Sequence, residues 1–83
     1  WIPLHYAAKN GHIEIIKMLL EKGAIINAAT NSKQTPLHLA AQNGHLEVVR
    51  YLIDEGANIS AIDNAGHTPL LLAFKRGYFK IGE

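Results

Sequence analysis

The sequence predicts an all-α repeat solenoid of stacked helix–turn–helix units, and three observations carry that expectation. The chain matches itself at a shift of 33 residues without a gap, and residues 1–33 share 15 identities with residues 34–66. Helix-start signals (Thr35-Pro36, Thr68-Pro69) and helix-stop glycines (Gly11, Gly23, Gly44, Gly56) recur in that same register. Most mismatches conserve character, as in Ile13/Leu46, Ile15/Val48, Ile16/Val49 and Lys17/Arg50. Chance does not produce such agreement.

The elements follow in order. In the first unit the spacing predicts helices near 4–10 and 13–22, with Gly11 and Gly23 ending them. The second unit opens on Pro36, which suits the first helical position, with Thr35 before it as N-cap. Its short helix is expected over 37–43 and stops at Gly44. A second helix is expected over 46–55, with Leu46, Val49, Leu52 and Ile53 forming one apolar face. Beyond Gly56 the chain is an extended loop, and Asp63-Asn64-Ala65-Gly66 is a turn signal within it. Thr68-Pro69 then starts the same plan a third time. The stripe Ile13, Ile16, Leu19, Leu20 recurs at the repeat period and is therefore assigned to the core.

Composition narrows the function classes. Hydrophobic residues make up 48% and charged residues 18% of 83, a globular balance. The longest apolar run, 13–20, is interrupted by Glu14 and Lys17, far short of the roughly 20 residues that span a bilayer. No targeting signal is visible at Trp1. With no cysteine, disulfides, thiolate metal sites and a cysteine nucleophile are excluded. This fits an intracellular protein, cytoplasmic or nuclear. A net charge of +1 with mixed signs offers no phosphate-binding stripe, so neither nucleic acid nor membrane is an expected partner.

Thr35-Pro36-Leu37-His38-Leu39-Ala40-Ala41, then Asn43-Gly44-His45-Leu46-Glu47-Val48-Val49, then Gly56-Ala57-Asn58-Ile59 resembles the ankyrin repeat almost residue for residue. The resemblance covers essentially the whole chain. It implies a right-handed stack of antiparallel helix pairs with projecting hairpin loops, commonly used as a protein-binding surface. In that register the units are 1–33 (truncated at its start), 34–66, and a partial, divergent 67–83. Such arrays generally need about three units and polar caps. The chain is therefore expected to be a segment of a longer array, of low stability by itself.

Local departures carry their own expectations. Ile2 stands where the capping Thr belongs, at a cost of about 1 kcal/mol. Thr30 and Lys33 occupy the turn positions of Asp63 and Gly66, so the first hairpin loop is expected to be loosened or reshaped. In the third unit Leu71 replaces the His, Phe74 the second Ala, Tyr78 the second His, and Gly82 falls where the helix takes Val. Trp1 and Ile2 at one end, and Phe79 and Ile81 at the other, are expected to lie bare.

Five histidines raise the question of a metal, but His5, His38, His12 and His45 are repeat positions. Equivalent residues in stacked helices lie about 8–10 Å apart, whereas zinc ligands each sit about 2 Å from one ion. The resemblance implies that the first His of each unit is a hydrogen-bonding residue tying helix starts to loops. No metal or cofactor is expected. No serine or acid stands beside a base in a catalytic pattern: Ser32 and Ser60 are loop residues, Asp63 a turn residue, and Glu14, Glu21 and Glu47 solvated helix positions. An enzyme is not expected.

Binding falls to residues the fold does not use. In the family register these are the loop tips and the exposed side of the first helix, expected to be concave: Trp1, Lys9, Asn10, Asn31, Ser32, Gln34, Gln42, Asn43, Ile62, Asn64, Ala65, His67, Lys75 and Arg76. They vary between units at equal offset (Trp1/Gln34/His67, Lys9/Gln42/Lys75), as positions free of the scaffold do. Asn27 matches a position that asparagine hydroxylases modify in some ankyrin arrays, beside the preferred reading of a loop-shaping residue. The expected function is a protein–protein interaction module with a protein partner. Alternatives are a structural spacer, self-association through uncapped ends, or a regulatory or targeting repeat region of a larger enzyme or channel.

Overall fold

A computed structural model describes residues 1–77. Five helices appear there, with no strand among the described residues: α1 (Pro3–Asn10), α2 (Ile13–Glu21), α3 (Pro36–Gln42), α4 (Leu46–Asp54) and α5 (Pro69–Lys75). The sequence expectations hold to within a residue at each end. Proline occupies the start of α1, α3 and α5, where its missing N–H costs nothing. Thr35 and Thr68 cap α3 and α5, accepting from the N–H groups of His38 (3.4 Å) and Leu71 (3.2 Å). Ile2 supplies no such side-chain bond.

The two rows of helices pack unequally. α3 contacts α1, α4 and α5, whereas α2 and α4 approach each other less closely. The cause lies in side-chain size. The first helices bury Ala7, Ala8, Ala40, Ala41 and Ala73, so their backbones come close together. The second helices fill the space behind them with Ile16, Val48, Val49 and Leu52. The described helices thus form a tight row of first helices beside a looser row of slightly longer second helices.

The inward face of α4 differs from expectation. Val48, Val49 and Leu52 are buried, while Leu46 and Ile53 remain 43% and 44% exposed. At about 100° of rotation per residue, the three buried positions fall within one arc and the other two lie just past its edge. The equivalent Ile13 and Leu20 of α2 are half-buried against the core, whereas among the described residues no second helix of a following unit lies beside α4 to cover Leu46 and Ile53.

The first loop is also a correction, because it keeps the frame of the second. Thr30 N donates to Gln34 O (2.9 Å) and Lys33 N to Thr30 O (2.8 Å). The second loop repeats this with Asp63 N to His67 O (3.0 Å) and Gly66 N to Asp63 O (2.9 Å). Thr30 Oγ1 accepts from Ser32 N and Gln34 N, both at 3.2 Å, as Asp63 Oδ1 accepts from Ala65 N and His67 N. A hydroxyl has two lone pairs and can replace one carboxylate oxygen in this task. Lys33 adopts the left-handed conformation, φ 61°, at a cost of roughly 1–2 kcal/mol.

Adjacent loops are joined as well. Asn64 N donates to Ser32 O (2.9 Å), and Asn64 Nδ2 donates to Asn31 O (3.3 Å). Asn58 N donates to Asn27 Oδ1 (2.9 Å), so exposed Asn27 holds one loop to the next. Trp1 and Ile2 are exposed, as anticipated. Tyr78, Phe79, Ile81 and Gly82 lie outside the described residues.

Candidate functional site

The rings of His5, His38 and His45 are taken up by the scaffold, while His12 is exposed. His38 is fully buried; its Nδ1 accepts from Thr35 N (3.0 Å), which leaves Nε2 to donate to His67 O (2.8 Å). His5 repeats the arrangement with Ile2 N (3.0 Å) and Ala28 O (2.7 Å). Each ring thus ties its own helix start to the loop that follows its helix pair. His45 reaches back instead, donating from Nε2 to Lys9 O (2.8 Å). Among the described residues no group of three or more His, Asp or Glu is placed to hold a metal ion.

An open groove of about 500 Å³ on the outer side of α1 and α2 is lined by Trp1, Pro3, Tyr6, Asn10, His12 and Ile15. Moving each by the 33-residue period gives Gln34, Pro36, Leu39, Asn43, His45 and Val48, all buried or half-buried against the preceding helix pair. The groove is therefore a stacking face seen from outside, and its shape says nothing about a ligand.

What remains is the first-helix side. Three pairs at the repeat period meet there. Lys9 Nζ lies 5.6 Å from the Trp1 ring, Gln34 Nε2 donates to Gln42 Oε1 (3.4 Å), and Lys75 Nζ donates to His67 Nε2 (3.1 Å). Each pair joins the residue two positions before a helix start to the residue eight positions on, and together they form three rungs across α1, α3 and α5. Gln34 Nε2 also reaches Asp63 Oδ2 (3.5 Å), linking the middle rung to the next loop.

Of the residues expected to bind, Trp1, Lys9, Asn10, Asn31, Ser32, Ile62, Asn64, Ala65, Lys75 and Arg76 are exposed, with Ile62 at 58%. Gln34, Gln42, Asn43 and His67 are half-buried. The scaffold also draws on several of them: Asn43 Nδ2 donates to Leu39 O (2.8 Å) at the end of α3, and Asn64 bridges to Asn31. Sequence reasoning passes over Tyr6, which is 55% exposed and has its ring centroid 5.0 Å from that of Trp1. Its signal is present in the repeat, because the equivalent Leu39 and Leu72 are aliphatic and buried.

Asp63 anchors this side electrostatically. Burial pushes its carboxyl upward, but hydrogen bonds from His67 N, Gln34 Nε2 and Ala65 N, with His67 nearby, outweigh burial and hold it below the ordinary carboxylate value. A depressed folded pKa stabilises the fold above the unfolded value of about 4 and is lost as pH falls through the folded value. In urea titrations across pH, the stability gap between the native sequence and Asp63→Asn is expected to be full above about pH 5 and to close in acid. A gap that persists unchanged at low pH would show that the carboxylate charge contributes nothing.

A family model described as ankyrin repeats (3 copies) matches residues 4–83, nearly the whole chain. The chain belongs to the ankyrin-repeat family. Ankyrin repeats are in general protein–protein interaction modules and not catalytic domains. Similar curated proteins include Probable E3 ubiquitin-protein ligase XBOS33 of Oryza sativa subsp. japonica, 52% identical over 33 residues. That match covers 40% of this chain and 6% of that protein. NAD-capped RNA hydrolase NUDT12 of Homo sapiens is 51% identical over 35 residues, 42% of this chain and 8% of that protein. The chain thus matches less than a tenth of the length of either relative, in stretches about one repeat long. Among the described residues, no helix of this ankyrin-repeat chain is long and apolar enough to cross a membrane.

Proposed function

We propose that this ankyrin-repeat chain, in units 1–33, 34–66 and 67–83, binds a protein partner through its loop tips and the side of the stack formed by α1, α3 and α5. The observation that supports this most is the three-rung surface. Its residues change chemistry from unit to unit (Trp1/Lys9, Gln34/Gln42, His67/Lys75) while the buried helix positions around them repeat. A scaffold that dictates its core and leaves one surface row variable is suited to partner-specific recognition. The absence of cysteine supports an intracellular setting, cytoplasmic or nuclear.

The test is photo-crosslinking. A photoreactive side chain replacing Gln42 or Lys75 in the full protein is expected to capture a partner, and one replacing Glu47 or Asp54 on the second-helix side is not. Capture only from the second-helix positions would overturn the assignment. A second reading is favoured by the two relatives, both enzymes by name, of which the match covers a small share. On that reading the chain is the targeting or regulatory repeat region of a larger enzyme, and the captured protein is that enzyme's substrate or regulator.

A further inference from the structure

Charge is divided between the two sides of the stack. Among the described residues, the first helices, the turn residue that follows α5 and the loops carry Lys9, Lys33, Lys75 and Arg76, all exposed. The acid on that side is Asp63, which is buried and already bonded to His67 N, Ala65 N and Gln34. The remaining acids among the described residues, Glu14, Glu21, Glu47, Asp54 and Glu55, lie on the second helices or immediately after them, with Lys17, Lys22 and Arg50 interspersed. A net charge near zero therefore conceals a basic side and a mildly acidic one.

The cations of the ladder are also spaced. Lys9 and Lys75 stand on the outer rungs, and the uncharged Gln34–Gln42 pair lies between them. Neighbouring helix axes are about 8–10 Å apart, so the outer rungs are about 16–20 Å apart. An extended chain rising about 3.3 Å per residue covers that distance in five or six residues.

We propose that the α1/α3/α5 side binds an acidic, extended protein segment carrying two carboxylates five or six residues apart, one for Lys9 and one for Lys75 and Arg76. This rests on the functional reading above and narrows it to a partner chemistry. Nucleic acid fits less well, because its charge is continuous whereas the middle rung offers only amides.

A display library of random twelve-residue peptides, selected against the full protein, tests this. Enriched peptides are expected to carry paired Asp or Glu at that spacing. A labelled copy of the most enriched peptide is expected to lose about tenfold in affinity on Lys9→Gln/Lys75→Gln, and to weaken as salt rises. These lysines are exposed, so an unchanged circular dichroism spectrum shows that the variant still folds. Peptides without acidic bias that still crosslink at Gln42 would overturn the charge inference and leave the surface assignment standing. Acidic peptides that crosslink only at Glu47 or Asp54 would overturn both. No enrichment at all, or tighter binding of single-stranded DNA than of the peptide, also counts against it.

Discussion

His38→Ala is expected to destabilise the array by about 3–5 kcal/mol, enough to unfold most of the chain if its stability lies at the low end for small domains. The ring is fully buried between its own helix start and the next loop. Its removal strands Thr35 N–H on one side and takes a donor from the His67 carbonyl on the other. An unmet polar group in such a place costs about 1–3 kcal/mol, and the vacated volume adds a cavity term. Leu71 occupies the equivalent position in the third unit, where the side chain is 41% exposed and no such bridge is made. Urea unfolding followed by circular dichroism measures the effect; a loss below about 1 kcal/mol would show that the bridge is dispensable.

Gly11→Ala is expected to cost about 2–3 kcal/mol, through two separable causes. Gly11 sits at φ 74°, where any side chain is strained by roughly 1–2 kcal/mol. A Cβ there would also stand 2.6 Å from His45 Nδ1 and 2.9 Å from its Cε1 and Cγ. The ring cannot retreat freely, since its Nε2 is bonded to Lys9 O at 2.8 Å. Gly23 and Gly56 have φ of 93° and 96°, and a Cβ added at either would meet nothing within 4 Å, so alanine there meets strain alone. The three variants, compared by the same unfolding measurement, should place Gly11→Ala clearly below the other two. Equal losses would mean that the contact between His45 and Gly11 contributes nothing to stacking.

Much of the array is legible in the sequence because its signals are local and repeated. Thr-Pro at a helix start, glycine at a helix end and the small Ala pairs act within a few residues, and the 33-residue period presents them more than once. Reading the recurring histidines as scaffold residues agrees with the bonds of His5, His38 and His45, whereas the exposed His12 ring makes no such bond. The α4 face is misjudged from sequence because helical periodicity describes a stripe and not the neighbour it meets. Leu46 and Ile53 satisfy the period, but among the described residues no second helix of a following unit covers them.

The first loop is misjudged for the opposite reason. Thr30 and Lys33 break the family pattern, yet a hydroxyl oxygen and a tolerated left-handed lysine reproduce the hydrogen bonds of Asp63 and Gly66. Among the candidate binding residues, the sequence distinguishes variable from repeating positions. It cannot tell that Gln34 bonds to Gln42 and Asp63, or that Asn64 joins two loops.

By itself, then, the sequence determined the repeat, the helix limits and the alanine-lined first helices, because each depends on conformational preferences set within a few residues. Tertiary structure alone decided which exposed side chains meet across units, and which face collects the cations. Those relations join residues separated by a whole period, and they arise only when the helix pairs stack.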